Sequence, residues 1–365
     1  MKIKKLILIV TLLLSAFFAF HVAIAADSSH KHGQHHSHLK GVGPSEAPHL
    51  HTFDKSLLTK IPKVSKNPSD LPKPISRNSS ATISFNLVAK EVISYLADGT
   101  EYLFWTYNDT VPGPFLRARV GDKVQLTINN HKSSTHTHSI DLHAVTGPGG
   151  GANLTQVKPG ESKTISFKAL HPGVFLYHCA SGNVPTHIAN GLYGIILIEP
   201  EKGLSRVDHE FYIIQGEFFT QGLVGEKGFQ KFSPNKMMRE TPEYIVFNGQ
   251  VKALTGPQAL KAKQGETIRI FFGNAGVSKI SSLHIIGEIF DKVYPEGSLK
   301  SSTTSIQTTL IPAGGAAAVE LKLENAGDFV ILDHAISRID RGAYGLLEVS
   351  GNQNLELLKQ IQKNK

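Results

Sequence analysis

Two short stretches of the chain concentrate residues that bind transition metals. They are HTHSIDLH at positions 136–143 and YHCASGNVPTH at positions 177–187. On a β-strand, residues an odd number of positions apart point to opposite faces. His138 and His143 are therefore predicted to face opposite ways, as are the adjacent His178 and Cys179. The simplest arrangement has two metal sites, one on each side of a pair of neighbouring strands.

The first predicted site combines His138, Cys179 and, from the following loop, His187. Two imidazoles and a thiolate are the ligand set of an electron-transfer copper, which usually has a weak axial methionine as well. Leu192 stands at the place expected for that methionine, and the chain has only Met1, Met237 and Met238. A hydrocarbon at the axial position still allows a blue-type copper, and it is expected to favour Cu(I) and raise the reduction potential.

The second predicted site combines His143 and His178, with Asp141 on the same face. Imidazole ligands beside a carboxylate suit a catalytic metal with an open coordination position. The peptide link between His178 and Cys179 then joins the two sites by a short through-bond path. We interpret His131, His171 and His209 as histidines without a metal, and His136 as a surface residue beside the first site.

The elements that position these residues are predicted to be strands. From residue 80 onward, short alternating or β-branched runs are broken by Gly, Pro, Asn and Asp, and long amphipathic helix patterns are scarce. The order of the runs repeats after roughly 145–150 residues. VGDKVQLTINN corresponds to QGETIRIFFGN, and GLYGIILIEP corresponds to GAYGLLEVS. We predict an all-β protein with two Greek-key sandwich domains, 80–203 and 204–350, and a C-terminal tail, 351–365.

The N-terminal segment predicts export. Residues 1–25 have a basic start, an apolar run and a small-residue end, as in a cleaved signal peptide, although an uncleaved anchor remains open. Residues 26–79 contain a histidine-rich tract and a Pro/Lys/Ser-rich lead-in, and the tract is either a metal-binding segment or a plain polar tail. Cys179 is the lone cysteine, which excludes an intramolecular disulfide and lipid attachment at the N-terminus. We expect a periplasmic protein whose mature chain has no transmembrane segment.

The overall charge does not indicate a nucleic-acid partner. The formal net charge is +8, but lysines and carboxylates are interspersed, and no basic helix or aromatic-basic stripe occurs.

From about residue 80 to 350, the chain resembles the two-domain copper nitrite reductases, and within them the outer-membrane-associated subgroup. The resemblance rests on motifs that occur in order: HSIDLHAVTGPGGGA, FKALHPGVFLYHCA, PTHIANGLYGIILIEP, EYIVFNG, SSLHIIGEIFDKVYPEG, TTLIPAGG and DHAISRIDRGAYG. The resemblance implies cupredoxin domains with two coppers per subunit, one of type 1 and one of type 2. It also implies reduction of nitrite to nitric oxide, with a periplasmic cupredoxin or c-type cytochrome as electron donor.

The family also implies a homotrimer with each type 2 copper between subunits. His143 and His178 of one subunit would then be joined by His334 of its neighbour. Asp141 and His284 would be the catalytic residues of the nitrite pocket. The resemblance further places Ile286 as a pocket-shaping residue, and Gln307 and Thr308 behind His284.

Two other functions are compatible with a copper-binding β protein. A two-domain multicopper oxidase would need several His-X-His pairs, one of them flanking the cysteine. Here Ala180 follows Cys179, so the second histidine of that pair is missing. In the β domains, only His136-Thr137-His138 has the His-X-His form. A non-enzymatic protein for copper binding or electron transfer would explain the absent methionine, but it would have no need of Asp141, His284 and His334.

Overall fold

The structure is a computed structural model that describes residues 58–360. The predicted signal peptide and the histidines of the N-terminal tract lie outside the described residues. Over residues 58–360, none of the helices has the length and apolar character needed to cross a membrane.

Strands dominate the described chain. The alternation in KVQLTINN is typical: Val124, Leu126 and Ile128 are fully buried between more exposed neighbours. The strands of the first half are β1 Thr59–Lys60, β2 Thr82–Ala97, β3 Thr100–Tyr107, β4 Leu116–Arg119, β5 Lys123–Asn130, β6 Asp141–Leu142, β7 Ser162–Lys168, β8 Gly173–His178 and β9 Tyr193–Glu199. Those of the second half are β10 His209–Phe218, β11 Gly228–Gln230, β12 Tyr244–Phe247, β13 Leu260–Lys263, β14 Thr267–Asn274, β15 Ser281–Ile285, β16 Lys292–Tyr294, β17 Thr308–Ile311, β18 Ala316–Lys322, β19 Gly327–Asp333 and β20 Tyr344–Ser350.

Helices are short and few in the described range. The α-helices are α1 Val184–Ala189 and α2 Pro234–Met238, and 3₁₀ segments cover Pro148–Leu154, Gly256–Gln258, Pro295–Gly297 and Ile336–Arg341. The prediction of an all-β fold with two sandwiches is confirmed by this architecture.

The strands form four sheets that pair into two sandwiches. In the first sandwich, the sheet β11-β3-β2-β5-β7, with β1 beside β2, packs against β4-β9-β8-β6. In the second, β12-β10-β14-β18-β16 packs against β13-β20-β19-β15-β17. Strand β11 follows the predicted domain boundary in the chain, yet it pairs with β3 of the first sandwich.

A third apolar cluster joins the two sandwiches. Leu176 of β8 and Ile195 of β9 pack against the second sandwich, where a Cβ on Gly273 would lie 2.8 Å from Leu176. The alternate residues of the same strands, Tyr177 and Ile196, face the core of the first sandwich. Strands β8 and β9 are therefore buried on both faces. This double burial matters because β8 ends at His178, and His178 and the following Cys179 are predicted to belong to different metal sites.

Candidate metal centres

The first group of predicted ligands converges inside the first sandwich. His138, Cys179 and His187 are all buried. The Sγ atom of Cys179 lies 3.2 Å from Nδ1 of His187 and 3.8 Å from Nδ1 of His138, and the two Nδ1 atoms are 3.3 Å apart. Three ligand atoms at such mutual spacing converge on a single point. The His₂Cys donor set fits a copper there.

Local structure supplies each of these ligands differently. Cys179 follows the last residue of β8, and His138 forms an isolated bridge with Val157. His187 lies on α1, whose N-terminus is capped by the Asn183 side chain accepting the Thr186 N–H. The chain enters this helix through a proline in its first turn, which suits helix initiation.

The electrostatics of Cys179 and His187 favour metal binding. Burial alone would raise the pKa of the Cys179 thiol, but His187 and His138 bring that pKa well below its ordinary value. Burial lowers the pKa of His187 despite the nearby sulfur, which favours the neutral ligating form. The Ser139 N–H also donates to Sγ of Cys179 at 3.3 Å. These partners stabilise the thiolate, the form of cysteine that binds metals.

Leu192, which immediately precedes β9, lies close to the first group. It is fully buried in the cluster that contains Cys179, and its carbonyl accepts the Cys179 N–H at 3.1 Å. Met237 packs instead with Ala189 and Phe219, and Met238 is exposed.

The second group is built where β6 pairs with β8. Asp141 stands directly opposite His178 in this antiparallel pair. The Nε2 atoms of His143 and His178 are 3.0 Å apart, and Oδ2 of Asp141 lies 4.0 Å from Nε2 of His178. Burial, together with His178, lowers the pKa of His143 and favours the neutral form that can ligate. His178 is two residues after Leu176 on the same strand, so its side chain also faces the second sandwich. The side chain of Cys179 faces the interior of the first sandwich.

A glycine-rich 3₁₀ segment packs against the carboxylate of the second group. Gly149, Gly150 and Gly151 all have positive φ, which strongly favours glycine. A Cβ added to Gly150 would overlap Oδ1 of Asp141. The GPGGGA sequence therefore leaves room for Asp141 beside His178.

The second sandwich carries the other predicted pocket residues. The rings of His284 and His334 lie 5.2 Å apart at neighbouring positions of β15 and the end of β19. The Nδ1–H of His284 donates to the backbone carbonyl of Gln307 at 2.7 Å, and Oγ1 of Thr308 is 3.5 Å from the same atom. This bond leaves Nε2 of His284 facing away from Gln307.

Within the described residues, no third imidazole joins His143 and His178 at ligand spacing. His334 is instead grouped with His284, in a region with exposed large apolar residues. Ile286 is 49% exposed, and four further residues of this region are exposed: Ile280, Ile289, Leu310 and Ile336. One chain therefore presents two incomplete parts of the predicted second site.

Sequence reasoning missed several residues around these groups. Glu91, from β2, is buried beside His138 and His136, and the Trp105 ring lies 4.7 Å from the His187 ring. Asp333 is fully buried and accepts the N–H groups of Ser282 and Ala335, which shapes the backbone around His334. A lone acidic residue in an apolar strand was the only available signal for Glu91. The signal for Asp333 was its position beside a histidine.

Three histidines outside the two groups have local partners: His131, His136 and His209. Nδ1 of His131 lies 2.7 Å from Oγ of Ser133, and Nε2 of His209 lies 2.9 Å from Glu266. The His136 ring packs against Trp105 in a tilted arrangement, with ring centroids 4.2 Å apart.

The chain is similar to known copper enzymes. The profile of a family described as multicopper oxidase matches residues 89–203. A copper-containing nitrite reductase of Neisseria meningitidis serogroup B is 47% identical, over 82% of this chain and 77% of the relative.

Solved structures give the same fold. The copper nitrite reductase from Nitrosomonas europaea has a TM-score of 0.66 and 35% identity, covering 75% of this chain and 96% of that one. A crystal structure of a multicopper oxidase also has a TM-score of 0.66, at 27% identity, covering 79% of this chain and 98% of that one. The identity and coverage of the Neisseria relative decide between these related groups, and the chain belongs to the family of copper-containing nitrite reductases, which are copper enzymes.

Proposed function

We propose that this protein reduces nitrite by one electron, with electron entry at a type 1 copper held by His138, Cys179 and His187. The overall reaction combines nitrite, two protons and one electron to give nitric oxide and water. The observation that carries the proposal is the adjacency of His178 and Cys179. These two residues share a peptide bond, yet one belongs to each metal-binding group.

The second group supplies the catalytic site in this proposal. His143 and His178, completed by His334, would hold a type 2 copper that supplies Lewis-acid binding of nitrite and delivery of the electron. Asp141 lies beside His178 at 4.0 Å and is positioned to give a proton to the nitrite oxygen that leaves as water. His284 keeps its Nδ1–H on the Gln307 carbonyl, so its Nε2 is the atom available to relay the second proton. Ile286, exposed beside this histidine, would shape the pocket.

A symmetric assembly would complete the second site. We propose a homotrimer in which His334 and His284 of one subunit meet His143 and His178 of the next. Two observations support it: the single chain separates the ligands, and exposed apolar residues surround His284 and His334. Large exposed apolar surface of this kind marks protein interfaces.

The setting follows from the predicted signal peptide. We propose a periplasmic enzyme that receives electrons from a cupredoxin or a c-type cytochrome and holds two coppers per subunit. The multicopper oxidase alternative is disfavoured because the buried Ala180 occupies the place where a second histidine would be needed.

The direct test uses copper-loaded protein, a reduced dye as electron donor, and a nitric oxide electrode. We expect nitric oxide production that depends on nitrite and stops when Cys179→Ala removes the thiolate. Two bound coppers per chain, with distinct electron spin resonance signals, should accompany it. Copper-loaded protein that consumes no nitrite would overturn the enzymatic proposal and leave the non-enzymatic one.

A further inference from the structure

A buried carboxylate stands behind one ligand of the proposed type 1 site. Glu91 lies on β2, is only 1% exposed, and pairs across the sheet with Trp105 of β3. A buried carboxylate is costly unless donors surround it. Here the donors belong to the segment that carries His138.

Three groups of residues 135–138 face Glu91. The Thr135 N–H donates to both carboxylate oxygens at 3.2 Å. Oε1 also lies 3.0 Å from Nδ1 of His136 and 3.3 Å from Nε2 of His138. With donors on both oxygens, the carboxylate is held in its anionic form.

The two ring nitrogens of His138 have different partners. Its Nδ1 faces Cys179 and His187, the side where a metal would be held. Its Nε2 therefore carries the hydrogen and donates to Glu91. A carboxylate that accepts from the outer nitrogen of a ligating imidazole fixes the ring and makes it a stronger electron donor.

We propose that Glu91 sets the reduction potential of the Cys179 site, lowering it to offset the rise caused by Leu192. The reason is electrostatic. An anion held behind His138 stabilises the more positively charged oxidised copper, and burial keeps water from screening this effect. Leu192 acts in the opposite direction because it supplies no thioether. Glu91 is a positioning residue here, since it acts through His138.

This inference rests on the proposed copper assignment of the first site, but its measurement is independent of nitrite reduction. The potential is read by redox titration of the thiolate-to-copper absorption band, and turnover is read by nitric oxide release. The potential can therefore be measured even if the protein does not reduce nitrite, and turnover can be measured even if the potential does not shift.

The test compares Glu91→Gln with the parent protein, both copper-loaded. The amide keeps the size and can still accept from His138, but it removes the charge. We expect the one-electron equilibrium to shift towards Cu(I) at least tenfold, a rise of about 59 mV. Glu217→Gln is the matched control, because Glu217 is 2% exposed and hydrogen-bonded to Ser278 in the second sandwich. That control should leave the potential unchanged.

A second variant covers the case in which Glu91→Gln does not fold or bind copper. Glu91→Asp keeps the charge but withdraws it from His138, so we expect a potential above that of the parent. An unchanged potential in a copper-bound Glu91→Gln protein, or in Glu91→Asp when the first variant is not obtained, overturns the proposal. A shift as large in the Glu217 control also overturns it.

Discussion

Gly150 and Asp141 are packed so closely that no side chain fits between them: a Cβ on Gly150 would overlap Oδ1 of the carboxylate. The glycine-rich segment therefore does more than turn the chain. It fixes where the proposed proton donor stands relative to His178.

We predict that Gly150→Ala lowers nitrite turnover, by roughly 10²-fold if Asp141 is displaced by about 1 Å. Copper content should stay at the parental level, because His143 and His178 are untouched. Steady-state assays with copper analysis would measure both. Gly203→Ala is the matched control: its φ of +73° is also strained for alanine, but a Cβ there meets nothing within 4 Å. Equal losses in the two variants would assign the effect to backbone strain.

Asp141→Asn directly tests the proposed role of Asp141 as proton donor. The amide keeps the shape beside His178 but cannot supply the proton, so we expect turnover to fall roughly 10²–10⁴-fold. Both coppers should remain bound, and the potential of the first site should be unaffected. Turnover close to that of the parent would remove Asp141 from the mechanism.

Strand parity explains how much of the site the sequence could predict. It separated His178 from Cys179 and grouped Asp141 with His143, although β6 covers only Asp141–Leu142 and His143 lies in a turn. The rule still applied because Asp141 and Leu142 pair with the last residues of β8.

Tertiary contacts account for what the sequence could not reveal. Glu91 lies 47 positions before His138, and its one signal in the sequence, an acidic residue in a largely apolar strand, does not indicate which residues it contacts. The role of Gly150 depends on its contact with the Asp141 side chain, nine positions earlier, and the sequence pattern does not indicate this contact. His334 and His284 came only from the family resemblance, because each alone has the pattern of a core histidine.

Mixed assemblies test whether the second site lies between subunits. His143→Ala and His334→Ala should each abolish turnover when produced alone. When they are produced together, complete sites form where the intact His143 of one subunit meets the intact His334 of another. We expect about a quarter of parental activity from random assembly in a symmetric ring.

A pair of variants on the same side of the site provides the control. His143→Ala with His178→Ala should stay inactive in any mixture, because every complete site needs both residues from one chain. Recovery in this second mixture, or none in the first, would contradict ligands shared in this way.

We predict that Glu288 makes the free energy of unfolding depend on pH. Burial, with Asp291 and Glu324 nearby, raises the pKa of Glu288 to about 7 from the ordinary value of 4.5. A carboxyl whose pKa rises on folding binds its proton more tightly in the folded state. Its contribution to stability is therefore complete below the pKa of the unfolded state and is lost as the pH rises through the pKa of the folded state. We therefore expect Glu288→Gln to be more stable than the parent at about pH 8, by about 1 kcal/mol once partial exposure is allowed for.

Urea unfolding of the copper-loaded proteins would measure the difference. The stability gain should shrink between about pH 8 and pH 5, because the parental carboxyl is then protonated in the folded state. A gain that does not change with pH would show that packing, rather than ionisation, explains it.

Leu192→Met tests the axial position of the first site. Leu192 is fully buried in the cluster that contains Cys179, so a thioether there would lie near the copper that we propose for the first site. We expect the potential to fall, because a thioether ligand stabilises Cu(II) relative to a hydrocarbon, and a tenfold shift in the equilibrium corresponds to about 59 mV. Redox titration of the absorption band measures it. Leu197→Met is the control, since Leu197 is equally buried but faces the cluster between the sandwiches. A potential that stays the same in Leu192→Met, or moves equally in both variants, would mean that Leu192 is not the axial neighbour.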